Sequence, residues 1–292
     1  MTDIPISISD PQPFDQLLTL KDRCAVVTGG SRGLGEAIVR RLAEAGAAVV
    51  LTGRGREALQ NVEAQVAATG AQVLGVQADL CSLKDSQNII DQAIERFGRI
   101  DILVNNAAVF PACTTMEMTE EVWDKTVDPD LKGTYFLSQF AARKMIDAGR
   151  GGRIINILSN DAFRPTGFLS AYGAAKLGMW SVTQSMAKEL APHRIQVNAI
   201  TPGSITTKER IAALSKGNFD LYQVPENAAK TRAMFESVLN SDKIVEMMTT
   251  MMPFGRPGFP DEIAKAVLFL ASDMASYISG ANITVDGAQS LR

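Results

Sequence analysis

The stretch AVVTGGSRGLG, residues 25–35, decides how this chain folds. A short apolar run leads into a glycine-rich turn, and the turn opens into a stretch of helical periodicity that continues to Arg41. Glycines permit a tight turn, and they let backbone amides approach an anion at the positive end of a helix dipole. A glycine turn alone also fits a plain connection, but its place directly after a strand predicts a nucleotide-phosphate loop.

Strand-like and helix-like segments alternate from this loop to the end of the chain. The further strands are predicted at residues 48–51, 73–77, 102–104, 153–158, 196–200 and 283–285. Among the helices, residues 83–97 have the clearest limits, with Ser82 and Asp85 as a capping box and Gly98 as the stop. This alternation indicates parallel strands, right-handed crossovers and helices on both faces. We therefore predict a doubly wound α/β sheet of the Rossmann type.

The 292 residues suit one large domain. Residues 1–20 contain three prolines and are predicted to form an irregular surface arm, with a single domain over residues 21–292. Residues 204–252 are too long for a connection and carry helical patterns, so we predict a substrate lid there. Four methionines at its end suit an adaptable apolar pocket, although packing onto the core or another subunit explains them equally well: Met247, Met248, Met251 and Met252.

The composition narrows the classes of function. A net charge of -3 without a long basic run argues against a nucleic-acid partner, and no apolar stretch is long enough to span a membrane. Three cysteines without ligand spacing and a single histidine argue against a metal site and for a reducing compartment. The first residues have neither the basic nor the apolar region of a secretory signal, so we expect a cytoplasmic protein.

The end of the second predicted strand bears on the choice of nucleotide. It reads VLTGR, residues 50–54, and lacks the acid that binds a ribose 2′-hydroxyl in folds that prefer NAD. Arg32 in the glycine loop and Arg54 after the strand offer charge-assisted hydrogen bonds to a 2′-phosphate. The alternative is that both are solvated surface arginines. Because the two arginines lie on loops predicted to face one another, we expect NADP(H) as the cofactor.

Three residues further along indicate acid–base chemistry. Ser159 ends the fifth predicted strand, and Tyr172 and Lys176 lie four residues apart, on one face of the next helix. A nearby cation favours the phenolate form of tyrosine, which gives a group able to exchange a proton with an alcohol or a carbonyl. Because most Tyr-x-x-x-Lys pairs are incidental, the spacing alone does not establish a site.

Taken together, these motifs resemble the short-chain dehydrogenase/reductase family over about residues 20–290. The matches occur in order and with suitable gaps, including the interval 172 − 159 = 13 residues between the serine and the tyrosine. The resemblance implies hydride transfer between a nicotinamide and a substrate carbon. In it, Tyr172 exchanges the proton, Ser159 polarises the substrate oxygen, and Lys176 binds the nicotinamide ribose and favours tyrosinate. A homodimer or homotetramer acting on a small molecule is also implied.

The expected cofactor site combines the two arginines with residues that the resemblance supplies. They are Gly29, Ser31, Arg32, Gly33, Leu34, Gly35, Arg54, Asp79, Leu80, Asn106, Ala107, Tyr172, Lys176, Pro202, Gly203, Ile205 and Thr207. Within this set, the resemblance implies that Asp79 contacts the adenine and that the segment with Pro202, Gly203, Ile205 and Thr207 binds the nicotinamide carboxamide.

Asp130 is the sharpest departure from the family pattern. It lies in a long helical region, about residues 119–148, where the family has an active-site asparagine. In the family this residue marks a helix kink whose backbone carbonyl holds a relay water, and Pro129 is compatible with such a kink. An ionised Asp130 would stabilise the Lys176 cation and oppose a neighbouring tyrosinate. A protonated or outward-turned side chain is the alternative.

Three functions compete on this evidence. The first is an NADP(H)-dependent oxidoreductase that acts on a fairly large, apolar ketone or secondary alcohol. The second is a redox-neutral enzyme on the same nucleotide site, catalysing dehydration, epimerisation or cyclisation with the help of Asp130. The third is a cofactor-binding sensor without turnover, which the retention of both Tyr172 and Lys176 disfavours. We expect the first.

Overall fold

Seven parallel strands form one sheet in the computed structural model, which describes residues 11–215, 222–239, 250 and 252–291. The strand order is β3-β2-β1-β4-β5-β6-β7, and every neighbouring pair is parallel. The strands are β1 (Cys24–Val27), β2 (Ala48–Gly53), β3 (Val73–Gln77), β4 (Ile102–Asn105), β5 (Gly152–Ile157), β6 (Ile195–Pro202) and β7 (Asn282–Val285). The predicted doubly wound sheet is therefore confirmed.

Helices cover both faces of this sheet. They are α1 (Gly33–Glu44), α2 (Arg56–Ala67), α3 (Leu83–Phe97), α4 (Glu120–Val127), α5 (Thr134–Ala148), α6 (Ser170–Leu190), α7 (Lys208–Ser215), α8 (Ala229–Leu239) and α9 (Pro260–Ala271). One apolar layer packs α1, α2 and α9 on one face, and a second packs α3, α5 and α6 on the other. Among the described residues, none of these helices is long and apolar enough to cross a membrane.

The topology places the site. The strand order reverses between β1 and β4, so the chain leaves these two neighbours toward opposite sides of the sheet. A crevice opens outside the carboxyl ends of strands at such a reversal, and ligands of doubly wound sheets bind there. The glycine loop follows β1 directly at this edge, and residues 106–107 follow β4.

Two local expectations are refined by the contacts. Ser82 caps α3, since its Oγ accepts a hydrogen bond from the Asp85 N–H at 3.1 Å, and Gly98 ends the helix at φ +71°. The reciprocal half of the predicted capping box is absent, because the Asp85 carboxylate accepts from the Asp79 N–H at 3.0 Å. In the region predicted as an arm, residues 11–19 are mostly exposed, but Leu20 is fully buried in the core.

Candidate active site

In the glycine loop, the backbone at Gly29 packs closely against the first turn of α1. Gly29 has a φ of +65°, a conformation that glycine adopts without strain. A Cβ on Gly35 would lie 2.0 Å from the Gly29 carbonyl oxygen, so only glycine fits there. No side chain caps the N-terminus of α1, which leaves the amides of its first turn available to an anion. Gly33, Leu34 and Gly35 form that turn, as expected for a phosphate cradle.

The end of β4 fixes the loop from the side. The Thr28 Oγ1 accepts hydrogen bonds from the backbone N–H groups of Asn106 and Ala107 at 2.9 and 3.0 Å. The Asn106 side-chain amide donates to the Thr28 carbonyl at 2.9 Å. Asn106 and Ala107 therefore lie against the glycine loop, where the resemblance places them.

The predicted 2′-phosphate residues surround the end of β2. Arg32 and Arg54 are both exposed, and neither guanidinium makes an ion pair with any residue that the structure describes. A Cβ on Gly53 would lie 2.9 Å from the Ser31 Oγ, so a larger residue at this position would have to move the Ser31 side chain. Asp79 and Leu80 follow β3, the neighbour of β2. The residues present fit a dinucleotide. The end of β2 and the loop after β3 would hold its adenosine, and the first turn of α1 would hold its pyrophosphate.

Residues 202–207 line the opposite side of the crevice. Pro202 ends β6, and the Gly203 N–H donates to the Val285 carbonyl at 3.1 Å. Ile205 pairs with Gly258 in a parallel bridge that closes the base of the segment leading to α7. The Thr207 side chain lies nearest to Gly33, 3.5 Å from where a Cβ of that glycine would be. The structure thus brings this segment and the glycine loop together.

Ser159, Tyr172 and Lys176 come together where β5 ends and α6 begins. The Ser159 Oγ accepts a hydrogen bond from the Asp161 N–H at 3.2 Å, which leaves the hydroxyl proton for the Tyr172 oxygen. Lys176 is buried, with its Nζ 5.5 Å from the centre of the Tyr172 ring. Burial raises the pKa of Tyr172 above its usual value, and the charge of Asp130 adds to this rise while the Ser159 hydrogen bond opposes it.

Asp130 points inward from a turn of π-helix, Asp128–Gly133, which joins α4 to α5. This widened turn agrees with the expected kink and contains Pro129. The Oδ1 atom accepts from the Val109 N–H at 2.8 Å, and Oδ2 lies 3.6 Å from the Lys176 Nζ. Burial raises the pKa of the Asp130 carboxyl to about 6, although the Lys176 cation and the Val109 hydrogen bond both lower it. The alternative of an outward-turned side chain is wrong.

A buried polar chain, absent from the sequence-based predictions, supports these residues. The Asn105 Nδ2 donates to the Ser138 Oγ and to the Asn156 Oδ1, both at 2.8 Å, and the Asn156 Nδ2 donates to the Thr183 Oγ1 at 2.9 Å. These bonds tie β4 and β5 to α5 and α6. In the sequence, Asn105 directly follows the fourth predicted strand and Asn156 lies near the end of the fifth, which was the available signal. In the structure the two asparagines pair in register.

Asp161 is a second group that the sequence analysis missed. Its buried carboxylate accepts hydrogen bonds from the Thr166 N–H and hydroxyl at 2.9 and 2.8 Å. It also fills the space beside Gly173, since a Cβ there would lie 2.7 Å from the Asp161 Oδ2. The charge of Asp161 contributes to the raised pKa of Tyr172. The sequence signal that could have identified it is an acidic residue two positions after Ser159.

Aromatic side chains surround the outer side of Tyr172. The Phe110 ring lies 5.7 Å from the Tyr172 ring, and further out Phe235 lies between Phe168 and Tyr222, at 6.1 and 5.0 Å. The backbone joins these groups, because the Ala112 N–H donates to the Tyr222 carbonyl and the Cys113 N–H donates to the Phe168 carbonyl, both at 2.9 Å.

Helix α8 is docked over this region by one carboxylate. Glu117 accepts hydrogen bonds from the Lys230 N–H at 2.7 Å and from the hydroxyls of Thr231 and Thr114 at 2.6 and 2.8 Å. These bonds, that from Thr231 foremost, lower the Glu117 pKa to about 2. Of the methionines assigned to the lid pocket, Met252 is buried, whereas Met247, Met248 and Met251 lie outside the described residues.

The comparisons with known proteins agree with this geometry. The chain matches the family described as short chain dehydrogenase over residues 23–216, and that described as enoyl-(acyl carrier protein) reductase over residues 223–288. It is 36% identical over 277 residues to L-rhamnose 1-dehydrogenase (NAD(P)(+)) of Azotobacter vinelandii, covering 92% of this chain and 97% of that protein.

Two further matches extend over nearly the whole chain. The short chain dehydrogenase/reductase astE of Aspergillus oryzae is 37% identical over 282 residues, which cover 95% of this chain and 98% of that protein. A solved short-chain type dehydrogenase/reductase from Mycobacterium marinum superposes with a TM-score of 0.80 at 30% identity, covering 94% of this chain and 98% of that chain. This chain belongs to the short-chain dehydrogenase/reductase family.

Proposed function

We propose that this oxidoreductase uses NADP(H) to transfer a hydride between the nicotinamide and a ketone or secondary alcohol, and that it reduces a fairly large, apolar carbonyl compound. The observation that carries the proposal is the convergence of Ser159, Tyr172 and Lys176 beside the crevice that the glycine loop borders. When bound, the nicotinamide supplies or accepts the hydride.

The side chains support proton donation to a carbonyl oxygen. Since the pKa of Tyr172 is raised, its phenol is protonated at neutral pH, as a proton donor for carbonyl reduction must be. The Ser159 Oγ accepts a hydrogen bond from the Asp161 N–H and keeps its hydroxyl proton, which could turn from the Tyr172 oxygen to a bound carbonyl oxygen. The Nζ of the buried Lys176 lies 5.5 Å from the centre of the Tyr172 ring, where a cation would stabilise negative charge that develops on the phenol as the proton leaves.

The preference for NADP(H) is supported by charge at the end of β2. Arg32 and Arg54 have no ion-pair partner among the described residues, and Gly53 stands where an acid would bind a 2′-hydroxyl. Two free guanidiniums favour a 2′-phosphate over a hydroxyl.

The direction in which Asp130 points favours the redox function over a redox-neutral one. One carboxylate oxygen is bonded to the Val109 N–H and the other faces Lys176. We therefore place Asp130 as a residue that acts through Lys176, and the redox-neutral reaction remains the second candidate.

The substrate and assembly proposals rest on exposed and lining residues. The rings of Phe110, Phe168 and Phe235 favour an apolar substrate body.

On α4, α5 and α6, apolar side chains that are partly exposed in the single chain support a homodimer or homotetramer: Trp123, Tyr135 and Leu177.

The test is a spectrophotometric screen of the purified protein with NADPH or NADH against a panel of apolar ketones. Loss of nicotinamide absorbance with NADPH, and a much weaker loss with NADH, is the expected result. A protein that binds NADPH but converts no ketone, while it dehydrates or epimerises a hydroxylated substrate, would support the second candidate.

A further inference from the structure

Arg210 is a partly buried cation without a counter-ion among the described residues. It lies in the first turn of α7, where its Nη1 is 3.4 Å from the Ile205 carbonyl and its Nη2 is 3.4 Å from the Tyr222 hydroxyl. Its Nε is shielded from solvent and has no hydrogen-bond partner. No carboxylate among residues 11–215, 222–239, 250 and 252–291 forms an ion pair with it.

This environment leaves the guanidinium under-bonded. Arginine stays charged in proteins and presents five N–H donors, and a partly desolvated charge is costly unless it is paired. Both contacts of Arg210 are to neutral oxygens and are longer than the usual 2.7–3.2 Å of an N–H···O bond. A planar carboxylate that accepts two parallel hydrogen bonds is the partner that fits a guanidinium best.

The neighbouring residue shows which side of the cleft Arg210 faces. Glu209 directs its carboxylate toward the glycine loop, with Oε2 3.6 Å from where a Cβ of Gly33 would be. Successive helix positions point about 100° apart, and Arg210 accordingly faces Tyr222. Glu209 therefore lies on the phosphate side, and a cofactor phosphate is a poor candidate for the partner of Arg210.

Tyr222 connects Arg210 to the proposed catalytic tyrosine. The Tyr222 carbonyl accepts from the Ala112 N–H at 2.9 Å, and Phe110, two residues earlier, packs on Tyr172. On the other side, Ile205 belongs to the segment expected to bind the nicotinamide. The guanidinium thus lies on the wall between the nicotinamide segment and the aromatic groups.

The geometry points to Arg210 as a substrate-binding residue that pairs with a carboxylate, so that the natural substrate joins an apolar body to a carboxylate group. This inference rests on the proposed function, which it deepens by naming a charged group on the substrate. Tyr222 and Phe235, stacked at 5.0 Å, provide the apolar wall beside the cation.

The experiment compares a keto acid with its neutral ester. Reduction of 2-oxo-4-phenylbutanoate and of ethyl 2-oxo-4-phenylbutanoate by NADPH is measured for the wild type, Arg210→Gln, Arg210→Lys and the control Lys208→Gln, which removes an exposed charge from the same helix. We expect Arg210→Gln to lower kcat/KM for the acid ten- to hundredfold and for the ester less than threefold. Arg210→Lys should retain part of the kcat/KM that Arg210→Gln loses for the acid. Lys208→Gln should leave kcat/KM unchanged for both substrates.

A binding measurement separates this inference from the proposed function. Titration calorimetry of the protein–NADPH complex compares 4-phenylbutanoate with 4-phenylbutanamide, and the affinity of each variant for NADPH is measured in parallel. Preference for the acid that depends on Arg210, without ketone reduction, would retain the inference and reject the proposed function. Ester reduction without any preference for an acid in either assay would reject the inference alone, as would a loss of NADPH affinity that explains the effect of Arg210→Gln.

Discussion

The Oδ2 atom of Asp130 lies 3.6 Å from the Nζ atom of Lys176, and both side chains are buried. The resemblance described above places an asparagine of the family at this position, so a titratable carboxyl replaces a neutral amide next to the lysine proposed for catalysis. Because the pKa of Asp130 is about 6, the carboxyl is mainly ionised at neutral pH and mainly protonated below pH 5. Its negative charge holds the Lys176 cation but raises the pKa of Tyr172.

We expect Asp130→Asn to keep or raise the reductase rate at neutral pH. The substitution preserves size and the Val109 hydrogen bond, and it removes a charge that opposes tyrosinate. The rising limb of alcohol oxidation should move to lower pH by about one unit, which corresponds to roughly 1.4 kcal/mol of charge interaction. Rates of both directions across pH 5–10 check this expectation.

A matched control is Asp128→Asn, which removes a half-exposed carboxylate from the same turn, where it pairs with Lys132. This variant should leave the pH profile unchanged. A loss of about a hundredfold or more in Asp130→Asn, the usual scale for losing general acid or base catalysis, would favour the redox-neutral function.

Tyr172→Phe should abolish hydride transfer and retain NADPH binding. In the proposed mechanism the phenol supplies the proton, whereas the glycine loop and the arginines are expected to hold most of the nucleotide. Turnover and the NADPH dissociation constant are measured for this variant and for the control Tyr277→Phe, which changes a fully exposed tyrosine. Near wild-type reduction of ketones by Tyr172→Phe would contradict the mechanism.

Arg54→Ala should weaken NADPH binding by roughly ten- to a hundredfold and leave NADH binding nearly unchanged. A charge-assisted hydrogen bond contributes about 1.5–3 kcal/mol, and only the 2′-phosphate of NADPH accepts one here. Arg56→Ala, two residues further along at the start of α2, is the control. Equal affinity of the wild-type protein for both nucleotides would contradict the assignment.

Residues 204–252 are predicted to close over the substrate, and α8 within them is tethered through Glu117. Amide hydrogen exchange of residues 208–215 and 229–239 should slow when cofactor and substrate bind. Glu117→Gln should speed exchange of residues 229–239 in the free protein. Equal protection with and without ligands would indicate a fixed packing element.

The tether also has a defined pH dependence. Because the folded-state pKa of Glu117 is lowered to about 2, its stabilising effect is complete above the unfolded value of about 4.3 and is lost as pH falls toward 2. Exchange of residues 229–239, corrected for the intrinsic pH effect, should therefore not change between pH 5 and pH 8 through this group.

The sequence predicted those parts of the molecule that local chemistry determines. The glycine loop, the limits of α3 and the doubly wound class of the sheet follow from turn residues, caps and alternation. The bond between Glu117 and Lys230 joins residues 113 apart in the sequence, and no local pattern indicates it. The direction of Asp130 likewise depends on packing around a π turn, so the sequence left its alternatives open.

The π turn at Asp128–Gly133 has a consequence for the far end of the cofactor crevice. A Cβ at Gly133 would lie 2.1 Å from the carbonyl oxygen of Leu80, in the loop that follows β3. The loop expected to border the adenine therefore packs directly on the turn that carries Asp130, at a point where only the hydrogen atoms of a glycine fit. Any side chain at position 133 would push the Leu80 loop and the π turn apart. A single substitution there would therefore disturb both the part of the site expected to hold the adenine and the surroundings of Asp130.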